Sequence, residues 1–360
     1  MSVEPGGPVV FLGAGAVGSY AGAMLAATGI PVVLIDGWPE HVESMRARGL
    51  EVHAPEGSTV ARPEAWHLGE AYRLRNLGPA AAFLTAKLYD TQWCAELLAT
   101  WLPAEVPVLT MQNGLVEQEV ARIVGEGRTL GVIAGGLDVA LSGPGVVRRS
   151  RLRRAGTAPV FKVGELDGRI TPRAERIAAL LDRVDRAAVT ADLYRERWVK
   201  LCANAMTTGL SGLTGLSLRE VYTRRETQAI AARLGAEVLT VAAISGFRLP
   251  SLFGLGEEVW QSAARNESAA LDRAGEAMLA QAASMTEAGQ SGTLQDLLKH
   301  RPTEVEYFNG FVAREGARLG CPAPAHAIVA AMIREVEAGR RAIAPEALAE
   351  IGARLARISL

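Results

Sequence analysis

The segment from residue 8 to residue 36 constrains the fold more than any other part of this 360-residue chain. An apolar stretch, PVVFL, leads directly into GAGAVG. A small-residue stretch then runs to Gly29, and a second apolar stretch ends at Asp36. Strand, G-x-G-x-x-G turn, helix, strand and terminal acid in this order build one βαβ unit of a dinucleotide-binding sheet. The sequence therefore predicts an α/β, Rossmann-like N-terminal domain.

The glycine turn is predicted to hold the pyrophosphate of the dinucleotide. Gly13 permits a tight turn, Gly15 lets the pyrophosphate approach the backbone, and Gly18 lets the helix pack against the strand. The N–H groups and the partial positive charge at the start of the helix attract the phosphates. The residues of this turn predicted to bind the cofactor are Gly13, Ala14, Gly15, Ala16, Val17 and Gly18.

Asp36 indicates which dinucleotide is preferred. At the end of the second strand, its carboxylate can accept hydrogen bonds from the ribose hydroxyls of the adenosine and would repel a 2′-phosphate. Gly37 follows the acid directly, and no arginine occurs between it and Arg46. The expected cofactor is NAD(P)H, with NAD(H) favoured over NADP(H).

Two further cofactor contacts are predicted at the ends of later strands. The apolar stretch 80–86 is followed by Lys87, and the stretch 106–111 is followed by Gln112-Asn113-Gly114. Ligands of an open parallel sheet lie beyond the carboxyl ends of its strands, which places Lys87 and Asn113 near the cofactor. The alternative for Asn113 is an ordinary turn, since Asn-Gly pairs are common in turns.

The length and the change of pattern along the chain predict two domains. A chain of 360 residues exceeds the size at which a single core keeps growing. Strand signals dominate the first half, and long helical periodicity follows. We therefore expect a dinucleotide-binding domain over residues 1–190 and an all-helical substrate and catalytic domain over residues 191–360.

The composition argues against nucleic acid, membranes and metal ions as partners. The formal net charge of −1 provides no field that attracts nucleic acid or anionic lipid. No apolar run approaches the roughly 20 residues of a membrane span. The 3 cysteines are widely spaced, which is typical of a reducing, cytoplasmic compartment. The 5 histidines form no cluster with metal-ligand spacing.

A helix in the second half carries a line of polar residues. In the segment RERWVKLCANAMTTGLSGLTG, Lys200, Asn204 and Thr208 recur at every fourth position and share one helix face. Only 4 of the 38 basic residues are lysines, and a lysine offers a compact ammonium with an adjustable pKa that arginine lacks. Lys200 is therefore either a general acid or a residue at the domain boundary whose side chain extends to solvent.

Two other charged features have competing interpretations. Pro302 suits the first turn of a helix, which would place Glu304 in that turn. There Glu304 is either a site residue or a group that stabilises the helix dipole. The arginine-rich segment 148–154 is either an anion site or a solvated strand edge protected by charge. The residue pattern alone favours the simpler interpretation in each case.

Together these segments resemble the ketopantoate reductase (2-dehydropantoate 2-reductase) family. The likeness runs in order through GAGAVG, the lysine after the 80–86 stretch, QNG, the PG-V segment, W-x-K-L-x-x-N and LQD-(x)6-TE-x-x-x-x-NG. The resemblance implies that Lys200 is the proton donor, that Glu304 holds the substrate and orients the lysine, and that Asn204 contacts the substrate. It also implies that Lys87 and Asn113 contact the cofactor, and that the substrate lies in a cleft between a Rossmann-like and an all-helical domain.

The chain departs from the family pattern at three places. Thr208 stands where the family commonly has a second asparagine, and Gly292 stands where it has a serine, with Ser291 one residue away. Thr208 and Ser291 are the remaining candidates for substrate binding there. The family mostly uses NADPH and carries a basic residue where this chain has Asp36-Gly37. Because lost hydrogen-bond partners cost orders of magnitude in discrimination, a keto substrate other than ketopantoate is expected.

The leading hypothesis is an oxidoreductase that transfers a hydride between a nicotinamide and a 2-keto acid or related ketone, while Lys200 protonates the developing alkoxide. One alternative is a β-hydroxyacid or opine-type dehydrogenase, which would predict an additional catalytic histidine or a second glycine fingerprint. Another is a non-catalytic dinucleotide-binding or sensing protein, which has no need of a proton donor. The expected partner is a small keto acid or ketone, and a homodimer is one compatible assembly.

Overall fold

The computed structural model describes residues 6–154, 156–283, 285, 287 and 289–358. Its strands are β1 (Val9–Leu12), β2 (Val32–Asp36), β3 (Leu50–Ala54), β4 (Gly57–Ala61), β5 (Glu64–His67), β6 (Ala81–Leu84), β7 (Val108–Thr110), β8 (Thr129–Ala134), β9 (Val139–Gly143), β10 (Val146–Arg149), β11 (Phe161–Glu165) and β12 (Ala187–Val189). Its α-helices are α1 (Ala16–Ala26), α2 (Pro39–Arg48), α3 (Thr91–Trp101), α4 (Glu117–Val124), α5 (Pro172–Asp182), α6 (Leu193–Thr214), α7 (Leu218–Thr223), α8 (Arg225–Ile244), α9 (Glu257–Ala264), α10 (Ser268–Ala282), α11 (Gly292–Leu298), α12 (Asn309–Arg318), α13 (Pro324–Glu337) and α14 (Ala347–Ile358). Short 3-10 helices span Leu68–Asn76, Leu88–Asp90, Glu126–Arg128 and Val305–Tyr307.

The chain forms two compact units, Met1–Glu196 and Arg197–Leu360, and the division falls within α6. All the strands of the described residues lie in the first unit, and the described part of the second is helical apart from an isolated bridge between Leu252 and Leu255. The predicted fold class, a Rossmann-like domain followed by an all-helical domain, is confirmed. The domain limits at residues 190 and 191 stay a prediction.

The main sheet contains eight strands of the described chain in the order β12-β11-β8-β7-β6-β1-β2-β5. Every neighbouring pair is parallel except β11 and β8. The adjacent strands β7, β6, β1 and β2 therefore present their carboxyl ends side by side. Asn113, Lys87, the glycine turn and Asp36 follow or end these strands and share one edge of the sheet, as predicted.

The main sheet is covered on both faces, which explains the continuous apolar runs of its strands. All four residues of β1 are at most 1% exposed, and they alternate between two clusters. Val9 and Phe11 belong to one cluster, and Val10 and Leu12 belong to the other. Phe11 stacks on Phe83 of β6, with ring centroids 4.8 Å apart.

The sequence pattern from residue 130 to residue 147 predicts two strands joined by SGPG, whereas the structure has three strands there. β8 belongs to the main sheet, whereas β9 and β10 form a hairpin in a second sheet, in the order β4-β3-β10-β9. The chain leaves the main sheet at Gly135-Gly136, where Gly136 has a φ of +69° that strand residues do not adopt. The glycine pair is the signal that the prediction overlooked.

Arg149, in the arginine-rich segment, is buried instead of lying on a solvated strand edge. Its guanidinium donates to the Tyr20 hydroxyl at 2.6 Å and pairs with Asp185. The side chains of Arg149 and Asp185 are 1% and 0% exposed. The prediction of a solvated edge is wrong for this residue, because the carboxylate of Asp185 compensates its charge inside the unit.

The helix α8 is the one helix of the described chain that is long and apolar enough to cross a membrane. However, 72% of its most apolar window is buried inside the protein. A core helix has the same length and composition, and the burial of α8 identifies it as one.

Candidate active site

The glycine turn joins β1 to α1 and has the predicted geometry. Gly13 has a φ of +104°, and a Cβ there would lie 2.4 Å from the backbone nitrogen of Ala86. A Cβ at Gly18 would lie 2.2 Å from the carbonyl oxygen of Gly13. Folding therefore requires glycine at positions 13 and 18.

Gly15 differs from these two glycines because the fold itself does not require it. It is exposed, its φ is −65°, and no described atom lies within 4 Å of the place a Cβ would take. Gly15 is also the N-cap of α1, and no described side chain caps that helix end. Open space beside the helix N–H groups, with Ala16 and Val17 in the first turn, fits a pyrophosphate.

Asp36 ends β2 beside the glycine turn. Its carboxylate accepts hydrogen bonds from the backbone N–H groups of Ala14, at 2.6 Å, and Trp38, at 2.8 Å. A carboxylate has about four acceptor positions, so the half-buried Asp36 retains capacity for ribose hydroxyls. Arg46, the next arginine, pairs with Glu70.

Lys87 and Asn113 are half-buried and follow β6 and β7 at the same sheet edge. Gln112, which sequence reasoning did not single out, ties the two segments together. Its side-chain amide donates to the carbonyl oxygens of Ala86 and Lys87, at 2.9 and 3.3 Å. The available signal in the sequence was a glutamine directly after an apolar strand. In the structure Gln112 is 5% exposed, and a buried amide needs hydrogen-bond partners.

Lys200, Asn204 and Thr208 lie in one line along α6, as their spacing predicted. All three are half-buried, whereas Leu201 and Ala205 beside them are at most 1% exposed. The Thr208 hydroxyl donates to the carbonyl oxygen of Asn204 at 2.9 Å. The line therefore presents an ammonium, an amide and a hydroxyl oxygen whose hydrogen is used within the helix.

Ser291 lies beside this line, with its hydroxyl engaged as the N-cap of α11. The hydroxyl oxygen accepts from the Leu294 N–H at 3.0 Å and lies 3.4 Å from the carbonyl oxygen of Thr208. The serine is 1% exposed. At Gly292, no described atom lies within 4 Å of the place a Cβ would take. The structure brings Ser291 and Thr208 together.

Glu304 does not lie in the first turn of an α-helix, and the prediction from Pro302 is wrong on this point. α12 begins at Asn309, and Glu304 precedes a short 3-10 helix. The chain is anchored at Thr303, whose backbone N–H and hydroxyl both donate to Glu337 of α13, each at 2.7 Å. The dipole of a helix that starts five residues later does not account for the half-buried Glu304.

Asn309, the asparagine of the NG pair, ties the Glu304 segment to α6, and sequence reasoning gave it no role. Its side-chain amide donates to the carbonyl oxygen of Ala205 at 2.9 Å and to Nδ1 of His326 at 3.0 Å. Burial lowers the pKa of His326 to about 4, so this ring is a neutral acceptor at neutral pH. Ala205 directly follows Asn204, and the contact therefore holds the start of α12 against the polar line.

Two family models match the chain, one in each half. The family described as "Ketopantoate reductase PanE/ApbA" matches residues 9–164, and "Ketopantoate reductase PanE/ApbA C terminal" matches residues 192–337. The chain belongs to the ketopantoate reductase family. The resemblance inferred from the motifs is confirmed.

Relatives within the ketopantoate reductase family match over nearly the whole chain. The 2-dehydropantoate 2-reductase of Archaeoglobus fulgidus is 26% identical over 333 residues, which cover 92% of this chain and 98% of that protein. A PanE/ApbA family ketopantoate reductase from Ralstonia eutropha JMP134 superposes with a TM-score of 0.73 at 25% identity, over 92% of this chain and 99% of that one. D-mandelate dehydrogenase, solved with NADH and anilino(oxo)acetate, superposes with a TM-score of 0.75 at 20% identity, over 92% of this chain and 99% of that one. At this identity the match shows only that the two proteins share a fold.

Membership of the ketopantoate reductase family confirms the prediction of an NAD(P)H-dependent oxidoreductase that acts on a carbonyl group. The two alternatives, a β-hydroxyacid or opine-type dehydrogenase and a non-catalytic dinucleotide-binding or sensing protein, have no support in these matches. Within the described residues, no group of three or more histidine, cysteine, aspartate or glutamate side chains is placed to hold a metal ion.

Proposed function

We propose that the chain reduces the carbonyl group of a 2-keto acid or a closely related ketone with NAD(P)H, and that Lys200 is the proton donor. The observation that carries this proposal is the half-buried line of Lys200, Asn204 and Thr208 along α6. It provides an acid and hydrogen-bonding groups on one helix face. The family membership supports the assignment, because W-x-K-L-x-x-N lies in this helix.

The first unit holds the cofactor in this proposal. Gly15 and the first turn of α1 donate backbone N–H groups to the pyrophosphate, and Asp36 accepts from the ribose. Lys87 and Asn113 contact the cofactor from the neighbouring strands. The bound dinucleotide supplies the hydride for the reaction.

The residues of the second unit act on the substrate. Lys200 donates a proton from Nζ to the carbonyl oxygen as negative charge develops there. This proton transfer stabilises the transition state for the arrival of the hydride. Glu304 binds a polar group of the substrate and orients the ammonium of Lys200. Asn204 donates to or accepts from the substrate one helical turn away.

The preferred cofactor in this proposal is NADH. Asp36 places a negative charge where a 2′-phosphate would lie, and Arg46 is engaged by Glu70. D-mandelate dehydrogenase, which has the same fold, was solved with NADH, so the fold is compatible with this dinucleotide.

We expect the wild-type protein to have a KM for NADH at least about tenfold below that for NADPH, which corresponds to about 1.4 kcal/mol of discrimination. Asp36→Ala should narrow the difference, because it removes the charge that repels the 2′-phosphate. Initial rates with both dinucleotides at saturating keto acid measure the effect. A lower KM for NADPH in the wild-type protein contradicts the assignment.

The substrate is proposed to be a keto acid other than ketopantoate. Thr208 replaces an amide with a hydroxyl whose hydrogen is used within α6, and Ser291 is engaged in capping α11. Both changes reduce the hydrogen bonds available to a polar substrate tail, and such losses weaken discrimination strongly.

A panel of 2-keto acids with NADH tests the activity and the substrate together. We expect at least one member to be reduced with a kcat/KM above about 10⁴ M⁻¹s⁻¹, and ketopantoate to fall below that value. Oxidation of NADH, followed by its absorbance, measures each rate. Efficient reduction of ketopantoate would refute the substrate assignment, and no reduction of any 2-keto acid would refute the function.

Three further predictions belong to this proposal. They are a cytoplasmic location, a homodimer, and domain limits at residues 190 and 191.

A further inference from the structure

A chain of buried hydrogen bonds runs from the β9–β10 hairpin to the glycine turn. At the hairpin turn, the Gly145 N–H donates to Nδ1 of His41 in α2 at 2.8 Å. Nε2 of His41 lies 3.1 Å from the hydroxyl oxygen of Ser19 in α1. The Ser19 hydroxyl in turn donates to the carbonyl oxygen of Ala14 at 2.6 Å. His41 and Ser19 are both 0% exposed.

The chemistry of the imidazole ring determines the direction of these bonds. Because Nδ1 of His41 accepts from a backbone N–H, it carries no hydrogen, and the neutral ring then carries its hydrogen on Nε2. Nε2 therefore donates to the oxygen of Ser19, which leaves the hydroxyl hydrogen directed at Ala14. Burial lowers the pKa of His41, which favours the neutral ring.

Ala14 is held at both of its backbone polar groups. Its N–H donates to Asp36 at 2.6 Å, and its carbonyl oxygen accepts from Ser19. In a trans peptide, the carbonyl of one residue and the N–H of the next point in opposite directions, and the described residues contain no cis peptide. With the Ala14 carbonyl turned inward, the Gly15 N–H is directed away from Ser19, and Gly15 itself is exposed.

We propose that His41 and Ser19 are positioning residues that orient the Ala14–Gly15 peptide for the pyrophosphate of NAD(P)H. The inference rests on the proposed function, because it takes the glycine turn as the cofactor site. Neither side chain contacts the ligand. They contribute to affinity because an N–H group that is oriented in advance does not have to be ordered when the ligand binds.

Ser44→Ala is a matched control for Ser19→Ala. Ser44 is also a buried serine, and its hydroxyl donates to the carbonyl oxygen of Pro144 at 2.9 Å, in the same hairpin turn. We expect Ser19→Ala to raise the Kd for NADH about tenfold, as the loss of a well-placed hydrogen bond does, and Ser44→Ala to leave it within about twofold. NADH fluorescence on ligand-free protein measures the Kd. The kcat at saturating NADH should change little in Ser19→Ala, because Ser19 acts on cofactor binding alone.

A second pair of variants tests the proposal even where Ser19→Ala fails to fold. His41→Gln keeps an N–H donor toward Ser19, whereas His41→Leu has none, and His41→Leu should bind NADH about fivefold more weakly than His41→Gln. Equal Kd values within this pair, or a wild-type Kd in Ser19→Ala accompanied only by a lower melting temperature, would overturn the proposal. If the wild-type protein binds neither NADH nor NADPH, the proposed function itself fails, and the outcome is distinguishable before any variant is measured.

Discussion

Replacing Lys200 with alanine is expected to lower kcat by about 10²–10⁴-fold, the usual contribution of a positioned general acid. The proton that this ammonium delivers neutralises the oxygen as the hydride arrives, and water in a substrate-filled site is a poor substitute. The Kd for NADH should be nearly unchanged, because the glycine turn and Asp36 are untouched. Steady-state kinetics on the best keto acid and fluorescence titration with NADH separate the two effects.

Lys162 offers a control for the change of charge and side-chain length. It is also a partly exposed lysine and is paired with Glu196, and Lys162→Ala should keep kcat within about twofold of the wild-type value, as surface ion pairs contribute little. Lys200→Arg should not restore activity, because a guanidinium stays protonated over the accessible pH range. If Lys200→Ala kept the wild-type kcat, Lys200 would be only a residue at the domain boundary whose side chain extends to solvent. The proposed mechanism would then have to be abandoned.

The largest expected effect on stability belongs to the buried pair of Arg149 and Asp185. Arg149→Met should lower the free energy of unfolding by about 3–5 kcal/mol, because it leaves the carboxylate of Asp185 buried without its cation. The hydroxyl of Tyr20 also loses its hydrogen-bond donor. Urea denaturation followed by circular dichroism measures the change.

Arg154 is the matched control, because it pairs with Asp182 at 2.7 Å with both side chains more than a third exposed. Arg154→Met should cost no more than about 1 kcal/mol, as is usual for solvated pairs. The double variant Arg149→Met/Asp185→Asn should recover part of the loss, since it removes the uncompensated charge. Equal losses for Arg149→Met and Arg154→Met would mean that burial of the first pair has no energetic consequence.

Local sequence patterns predicted the parts of the fold and site that depend on near neighbours. A Cβ at Gly18 is excluded by the carbonyl oxygen of Gly13, which is a contact within the first βαβ unit, and that unit is contiguous in the sequence. The line of Lys200, Asn204 and Thr208 follows from helical geometry alone. Fold class and helix face were therefore predictable from spacing.

Contacts between distant segments decided what could not be predicted. Arg149 is buried because Asp185, 36 residues later, compensates it, and no local pattern distinguishes it from its exposed neighbours. The helix predicted from Pro302 begins only at Asn309, and Thr303 is held instead by Glu337, 34 residues later. His41 and His326 are single histidines on helices, and only their tertiary hydrogen bonds show what they do.

The three glycines of the turn are retained for different reasons, two of them for folding and one for cofactor binding. A side chain at position 13 or 18 would collide with the backbone, so selection for stability alone would retain glycine there. At position 15 the backbone conformation suits any residue and the space is open, so a stability screen would not detect the replacement. In a library sorted first for folding and then for NADH binding, position 15 would vary in the first round and return to glycine in the second. A descendant that abandoned its cofactor would lose that glycine before the other two.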